Sequence, residues 1–338
     1  MPDGMSLMGW LLLHFGIGLA GTWLARRYAL HRRLIDEPGE RRSHVVATPR
    51  GGGIAIVAAM LLALLALAAW HPAQRGLLLS GALGLLLVAA VGWFDDHRPL
   101  SAALRLSVHA VAAVALALAV HERDGGPLAA GLVFLLALIL VNVWNFMDGI
   151  DGLAASQAIL VAVGYALSID DPVAVLLAFA LMAATCGFLP FNFPKARIFL
   201  GDVGSGSLGF GLAVILAIAV SARREPPSLV QFALLLPLSA FLIDASLTLA
   251  KRIVKGDRWW TAHVEHAYQR WAARIRGHVV VTTAYATWTV LGVGLMIWVQ
   301  SGSGALIMAS VLAWHLSAVI AWIWLQGRGR VPPEGRRA

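Results

Sequence analysis

The sequence is dominated by long apolar stretches, each close to the roughly 20 residues that a helix needs to cross the hydrocarbon core of a bilayer. Eleven such stretches run at about 6–25, 52–70, 77–94, 102–120, 128–145, 153–169, 172–190, 205–221, 228–250, 279–300 and 303–326. Segments rich in Pro, Gly or charged residues separate them, and such residues end helices. The pattern predicts an all-α, polytopic integral membrane protein with about eleven transmembrane helices.

The composition argues against a soluble protein. Hydrophobic residues make up 59% of the chain and charged residues 13%, and the mean hydropathy is +0.77, whereas soluble domains contain about a quarter charged residues. A single cysteine, Cys186, rules out a disulfide scaffold. The net charge of +8 would indicate nucleic acid in a soluble protein. In a membrane protein, basic residues collect beside anionic lipids on the cytoplasmic side, so we predict membrane lipids and no nucleic acid as partners.

The Lys and Arg residues are divided unevenly between the two sides of the predicted bundle. Of the 26 basic residues, 22 fall in connections on one side, and the other side holds Arg75, Arg123, Arg223 and Arg224. Because basic residues mark the cytoplasmic side, we predict an outside N-terminus and an inside C-terminus. Residues 1–326 are predicted to form one membrane-embedded domain, followed by a disordered basic cytoplasmic tail at 327–338.

The predicted cytoplasmic side carries three acidic clusters at the ends of apolar stretches. In chain order they consist of Asp95 and Asp96, Asp148 and Asp151, and Asp202. A single acid at a helix end is usually a cap or an ion-pair partner, but adjacent Asp95 and Asp96 cannot both cap one helix. Five carboxylates at one membrane depth suit a hard cation, Mg²⁺ or Mn²⁺, which takes oxygen ligands. The clusters therefore predict a metal-dependent site on the cytoplasmic face.

Glycines accompany two of these clusters, in residues 148–152 and 201–206. Glycine lets backbone N–H groups approach an anion closely, and helix N-termini favour anions. Neither segment is a P-loop, because no Gly-Lys-Ser/Thr follows. Beside carboxylates, these turns favour a site for a metal and a diphosphate.

Two histidines, His263 and His266, lie in the long basic connection 251–278. They could be zinc ligands, but the spacing is not that of a His-Glu-x-x-His helix and no third ligand is evident. They could also be a surface pair. With acids nearby, we favour a phosphate-binding or acid–base role in a loop folded over the site.

Basic residues near the acids have two open interpretations. Arg105, Lys195 and Arg50 could bind a diphosphate, since Arg contacts phosphate through two hydrogen bonds. The positive-inside bias would place the same residues there.

Two further acidic features have less specific interpretations. The fourth acidic cluster, Asp36, Glu37 and Glu40, is mixed with Arg and Pro, and we expect it to be a solvated loop face. Asp244 lies inside an apolar stretch. It is a functional candidate for that reason, or a structural residue on the helix face of Lys251.

At these residues the sequence resembles a known family, the polyprenyl-phosphate N-acetylhexosamine-1-phosphate transferases, over roughly 33–270. The motifs occur in family order: Asp95-Asp96 with Leu100, Ser101 and Arg105; then 142–152, Asn-Val-Trp-Asn-Phe-Met-Asp-Gly-Ile-Asp-Gly; then Asn192 with 199–205, Phe-Leu-Gly-Asp-Val-Gly-Ser. Segments 35–53 and 263–269 look most like the O-antigen-initiating branch, with Glu265 as a departure. The His-rich signature of the peptidoglycan branch is absent, which disfavours a UDP-muramoyl-pentapeptide donor.

The resemblance implies an activity and a site. The activity would be transfer of a GlcNAc-, FucNAc- or QuiNAc-type sugar 1-phosphate from a UDP-N-acetylhexosamine to undecaprenyl phosphate, with release of UMP, at the bacterial inner membrane. Mg²⁺ would be held by Asp202 and Asn145. The implied catalytic residues are Asp95, Asp96, Asp148, Asp151, His263 and His266, and the implied substrate contacts include Asn142, Asn192 and Phe199. The basic residues considered above, Arg50, Arg105 and Lys195, complete the predicted substrate contacts. The sugar and a homodimeric state stay open.

Two other classes of membrane protein fit the positions of the acidic residues less well. CDP-alcohol phosphotransferases are also acidic and membrane-embedded, but their acids lie in one short segment, whereas here they extend from Asp95 to Asp202. A transporter would place charges at mid-membrane on broken helices, with inverted repeats. No internal repeat is evident, and only Asp244 has such a position. Both classes are therefore kept as alternatives to the transferase.

Overall fold

A computed structural model describes residues 5–37, 46–221, 229–258, 260–261 and 263–327. These residues form thirteen α-helices and one antiparallel pair of two-residue strands. In chain order the elements are α1 (Leu7–Arg32), β1 (Ile35–Asp36), β2 (Thr48–Pro49), α2 (Ile54–Trp70), α3 (Arg75–His97), α4 (Ala102–Val120), α5 (Gly126–Phe146), α6 (Leu153–Ser168), α7 (Pro172–Asn192), α8 (Asp202–Ser221), α9 (Leu229–Phe232), α10 (Ser239–Val254), α11 (Ala267–Ile275), α12 (Val279–Val299) and α13 (Gly304–Gly327).

Each of the eleven predicted apolar stretches contains a helix. Nine helical segments of the described chain are long and apolar enough to cross a bilayer, and two others, α2 and α6, are apolar but shorter, at 17 and 16 residues. The short helix α11 lies outside these segments. The prediction of a polytopic all-α membrane protein is confirmed. The number of crossings and the orientation stay predictions.

Helix α8 forms the centre of the bundle. Of its most apolar window 94% is buried, compared with 22% for α1 and 17% for α13. It packs against α3, α5 and α7. Its sequence contains Gly and Ser at many positions, and such small residues let membrane helices approach closely. Asp202, the first residue of α8, is therefore held in the middle of the bundle end.

The helix connections form two sets. One set is linked by contacts such as the salt bridges of Arg105 with Asp202 and of His278 with Asp151. The other set is linked by contacts such as the hydrogen bond from Gln74 to Asp171. We call the first set the inner end and the second the outer end, after the predicted orientation. All three predicted acidic clusters lie at the inner end.

The fourth acidic cluster differs from the expectation of a solvated loop. Asp36 belongs to β1, where it pairs with Thr48, and its side chain is 17% exposed, 3.9 Å from Nη1 of Arg50. The interpretation as a solvated acid is therefore wrong for Asp36, because the β-pair folds it toward Arg50. Glu37 is exposed, as expected.

Some predictions fall on residues outside those that the structure describes. They concern Pro38 and Glu40, the segment from Arg41 to His44, the outer residues Arg223 and Arg224, and the tail beyond residue 327.

Candidate active site

The two adjacent acids in the last turn of α3, Asp95 and Asp96, point in different directions. The Asp95 carboxylate accepts a hydrogen bond from the backbone N–H of Leu100 at 2.6 Å. The Asp96 carboxylate, in a side chain 3% exposed, accepts from the backbone N–H groups of Asp202 and Val203 at 3.1 and 3.2 Å. Neighbouring residues of a helix are about 100° apart around its axis. The two acids therefore serve different segments, and Asp96 binds the N-terminus of α8, where an anion is favourable.

Arg105 joins two of the predicted acids that are far apart in sequence. Its Nη1 lies 2.9 Å from Oδ2 of Asp95 and 2.7 Å from Oδ2 of Asp202. This contact requires α3 and the start of α8 to be very close. Gly92 permits it, because a Cβ at that position would lie 2.5 Å from the backbone C and O atoms of Asp202.

A cavity of about 360 Å³ opens beside this ion-pair group. Eight of the predicted site residues line it: Asp95, Arg105, Asn142, Asn145, Asp148, Asp202, His263 and His266. They come from α3, α4, α5, the α5–α6 turn, α8 and the segment before α11. The structure therefore brings the main acids, one Arg and both histidines of the prediction to one site.

Asp148 places a carboxyl group in the wall of the cavity together with Asp202. Its carboxylate has no hydrogen-bond or ion-pair partner within the described part of the chain. Burial, followed by repulsion from the Asp202 carboxylate, raises the pKa of Asp148 well above its usual range. A cation bound between Asp148 and Asp202 would remove this repulsion.

The donor set fits a hard divalent cation in its chemistry. Asn145 donates from Nδ2 to Oγ of Ser205 over 3.1 Å, and its amide oxygen receives no hydrogen bond from the described residues. With the carboxylates of Asp148 and Asp202, this oxygen supplies the ligand type that Mg²⁺ prefers. The described residues contain no preformed cluster of three or more His, Cys, Asp or Glu side chains for a metal. In this state Arg105 provides the positive charge at Asp202.

The histidine segment is folded into the protein. His266 is 3% exposed, and its ring centroid lies 4.9 Å from that of His263. Burial, followed by the charges of His266 and Arg252, lowers the pKa of His263 to about 4, which leaves its ring neutral at pH 7. The alternative of a surface pair is wrong, because both rings line the cavity. No preformed metal cluster of the described residues includes them, so the zinc alternative gains no support.

Six predicted site residues do not line the cavity: Asp96, Asp151, Asn192, Phe199, Lys195 and Arg50. Asn192 holds the Asp148–Asp151 turn, because its Oδ1 accepts from the N–H of Gly152 at 2.9 Å. Asp151 lies 3.2 Å from Nδ1 of His278. Lys195 is exposed.

The remaining two of these six residues contact the Gly51–Gly53 turn and its neighbours. Arg50 donates to the backbone oxygen of Asp96 at 2.5 Å. The backbone oxygen of Phe199 accepts from the N–H of Gly52 at 2.9 Å. Both residues thus contact segments next to the cavity and do not line it.

Trp260, Tyr268 and Gln269 are among the cavity residues that sequence reasoning did not assign to the site. The last two lie two and three residues after His266. Their positions in the first turn of an amphipathic helix could have indicated the site, because His266 begins that helix and fixes its direction.

Comparison with known proteins adds relatives of defined activity. Residues 78–220, which contain all three acidic clusters, match the family described as Glycosyl transferase family 4. The chain is 30% identical over 253 residues to a phospho-N-acetylmuramoyl-pentapeptide-transferase of Heliobacterium modesticaldum, covering 65% of this chain and 77% of the relative. It is 29% identical over 310 residues to a decaprenyl-phosphate N-acetylglucosaminephosphotransferase of Mycobacterium leprae, covering 79% and 75%.

A third relative is named for a related activity. The chain is 26% identical over 268 residues to a probable undecaprenyl-phosphate N-acetylglucosaminyl 1-phosphate transferase of Bacillus subtilis, covering 74% of this chain and 72% of the relative. Relatives that act on N-acetylglucosamine and on the muramoyl-pentapeptide thus match at similar identity. Identity alone does not separate these two branches.

Proposed function

Because the chain belongs to the polyprenyl-phosphate N-acetylhexosamine-1-phosphate transferases, we propose that it transfers an N-acetylhexosamine 1-phosphate from a UDP-sugar to undecaprenyl phosphate. The family relationship makes the chain a membrane phosphotransferase. The donor, the sugar, the acceptor's chain length and the location in a bacterial inner membrane are the proposed part.

The observation that carries the proposal is the charge arrangement of the cavity. Acids from three segments, Asp95, Asp148 and Asp202, face it together with Arg105 and the histidine pair. Phosphoryl transfer depends on positioning and on neutralising charge spread over phosphate oxygens. A cavity with carboxylates from three segments and a guanidinium can bind a cation and a diphosphate together.

A divalent cation, Mg²⁺ or Mn²⁺, would be held by Asp202 and Asn145, with Asp148 beside them. When bound, it would offset the charge of the donor diphosphate and of the transition state. Its chemical fit rests on the unpartnered Asp148 carboxylate and the free amide oxygen of Asn145 described above.

The protein's own residues would position and neutralise the phosphates. Arg105 binds carboxylates in the structure and can exchange one of them for a phosphate oxygen, because guanidinium groups recognise both. His263 is neutral and His266 lies beside it, so they can donate hydrogen bonds to phosphate oxygens. The acceptor phosphate oxygen attacks the β-phosphorus of the UDP-sugar, the bond to the α-phosphate oxygen breaks, and UMP leaves.

The donor branch is proposed from residues rather than from overall identity. Segments 35–53 and 263–269 resemble the O-antigen-initiating branch, and the His-rich signature of the peptidoglycan branch is absent. We therefore propose a GlcNAc-, FucNAc- or QuiNAc-type donor and a role in starting a cell-surface polysaccharide such as O-antigen.

The test is a transfer assay with purified protein, undecaprenyl phosphate and one donor at a time. The donors are UDP-GlcNAc, UDP-FucNAc, UDP-QuiNAc and UDP-muramoyl-pentapeptide, and UMP and lipid-linked sugar phosphate are measured. UMP release with one of the first three is expected, to be lost with EDTA and restored by Mg²⁺. Turnover only with the muramoyl-pentapeptide would overturn the branch assignment, and turnover with none would overturn the proposed activity.

A further inference from the structure

Asp244 is a buried acid that the proposed chemistry does not use. It lies in α10 and is 2% exposed. Its Oδ1 accepts from the backbone N–H of Ala267 at 2.8 Å, and its Oδ2 accepts from the backbone N–H of Tyr268 at 3.1 Å and from the hydroxyl of Tyr285 at 2.8 Å. Lys251, the partner considered from the sequence, instead donates to Gln326. The carboxylate of Asp244 thus binds both backbone N–H groups at the start of α11, and it also accepts from the hydroxyls of Tyr285 and of Thr248, the latter at 3.2 Å.

The start of α11 is the segment that carries the histidines into the cavity. His266 is the N-cap residue of α11, and its Nδ1 lies 3.7 Å from Oδ1 of Asp244. That nitrogen is buried without a hydrogen-bond partner in the described chain. The Asp244 carboxylate is therefore within ion-pair distance of the His266 ring.

The same segment is tied to the turn that carries Asp148. The hydroxyl of Tyr268 donates to the backbone oxygen of Phe146 at 3.0 Å. It also lies against Gly149, where an added Cβ would be 2.3 Å from that hydroxyl. The ring of His266 stacks between those of Phe146 and Tyr268, at centroid distances of 6.2 and 5.7 Å.

We propose that Asp244 is a positioning residue that fixes segment 263–268 over the cavity and sets His266 and Tyr268 relative to Asp148. A bridge of hydrogen bonds runs from α10 through the first turn of α11 to the end of α5. The inference rests on the proposed function, since it assigns Asp244 a part in the same site.

A buried acid at a helix N-terminus could also contribute only to stability, and the chain offers a matched control. Asp171 caps α7 through the backbone N–H groups of Val173 and Ala174, at 2.8 and 3.1 Å. It lies at the outer end, away from the cavity. Asp244→Asn and Asp171→Asn thus each remove the carboxylate charge at one helix start. In each variant the new NH₂ group faces a former donor, a backbone N–H of α11 in the first and Nε2 of Gln74 in the second.

The kinetic experiment compares these two variants in the transfer assay. In Asp244→Asn the side-chain NH₂ opposes a backbone N–H, so α11 shifts. Misplacement by about 1 Å can cost about 100-fold in rate, so we expect kcat to fall by about 10- to 100-fold, with KM for the UDP-sugar within about threefold of wild type. Asp171→Asn should keep its kcat. Equal kcat values for the two variants would overturn the proposal.

A second readout does not depend on activity. In a Cys186→Ser background, His263→Cys is labelled with maleimide in the full-length protein, with and without Asp244→Asn or Asp171→Asn. Release of the segment should increase the labelling rate about fivefold with Asp244→Asn only. An unchanged rate would overturn the positioning role. If the wild type shows no transfer, the proposed function fails, and the labelling result still decides the role of Asp244.

A milder variant covers the case in which Asp244→Asn does not fold. Tyr285→Phe removes the hydroxyl that donates to Asp244 without touching α11, and kcat should fall by about threefold. Tyr165→Phe is its control, because that buried hydroxyl donates to the backbone oxygen of Leu234 at 3.0 Å. Equal kcat values for these two variants would contradict the proposal.

Discussion

The inner and outer ends of the helix bundle use the same residue types for different purposes. At the outer end, Asp171 caps α7 and also accepts from Nε2 of Gln74 at 2.9 Å. At the inner end, the carboxylates of Asp95, Asp148 and Asp202 come from separate segments and face one cavity. The outer acid is satisfied locally, whereas at the inner end Asp95 and Asp202 share Arg105, and Asp148 has no hydrogen-bond or ion-pair partner among the described residues.

Cavity size does not distinguish the two ends. The outer end has a cavity of about 330 Å³ lined by polar residues that include Asp170 and Asp171, close to the 360 Å³ of the inner one. The difference lies in charge and burial: the inner cavity contains a partly buried carboxylate without a partner among the described residues and a guanidinium bound to two acids, whereas Asp170 of the outer cavity is exposed. Unbalanced, partly buried charge, rather than volume or acidity alone, marks the end that carries the candidate site.

The comparison first requires that the two ends lie on opposite sides of the membrane. Glu122→Cys and Lys255→Cys, both at exposed positions, are placed singly in a Cys186→Ser background and treated with an impermeant maleimide on intact cells. Because 22 of 26 basic residues lie on the Lys255 side, we expect labelling of Glu122→Cys only. Labelling of both from outside would contradict the topology.

The largest change in activity is expected for Asp202. Asp202→Asn keeps the size of the side chain but removes the charge that would bind a cation, and electrostatic groups of this kind contribute about 10²–10³-fold in rate. The protein should reach the membrane at normal levels and release almost no UMP. Asp171→Asn, at the outer end, should retain turnover. Near-normal turnover of Asp202→Asn at low Mg²⁺ would show that the metal assignment is wrong and that Asp95, Asp96 or Asp148 holds the ion instead.

A smaller loss is expected for Arg105. Arg105→Ala removes the guanidinium from both Asp95 and Asp202, so the rate should fall by about 10- to 100-fold through weaker phosphate neutralisation. Arg123→Ala is the control at the outer end, where Arg123 donates to Oγ of Ser221 at 3.2 Å. The rate of UMP release is measured for both variants. Equal rates would contradict a role of Arg105 in the site.

The smallest effect concerns stability as a function of pH. The pKa of His263 is lowered to about 4 by burial and by the charges of His266 and Arg252, while an unfolded His titrates near about 6.5. Between these values the unfolded chain binds more protons, so stability falls as pH decreases from about 6.5 to 4. His263→Gln should show a smaller decrease of Tm over that range. Equal decreases would contradict a buried neutral His263.

Much of the fold was readable from the sequence because the bilayer imposes a simple length rule. Each apolar stretch contains a helix, including α2 and α6, which are shorter than the others. The expectation for Asp36 failed because two-residue strands give almost no sequence pattern. The pairing of β1 with β2 brings Asp36 to Arg50 across the connection.

Eight of the fourteen predicted residues line the candidate cavity, but their geometry could not be predicted from the sequence. Adjacent Asp95 and Asp96 look equivalent in sequence, yet the helix directs Asp95 toward Arg105 and Asp96 toward the backbone of α8. Asp244 was left without a role because its partners, Ala267 and Tyr268, lie 23 and 24 positions away. Such contacts depend on tertiary packing, which local patterns do not encode.

The close approach of Gly92 to Asp202 has a consequence for substrate selection. There the main chain of α3 touches the main chain at the start of α8, so repacking of side chains cannot widen or narrow the gap. The backbone therefore fixes the width of the cavity beside Asp202, whereas segment 263–268 is held by hydrogen bonds that can break and form again. In the proposed transfer reaction, fitting different sugars would therefore fall to the histidine segment, and the width available to the donor diphosphate would be the same for every sugar.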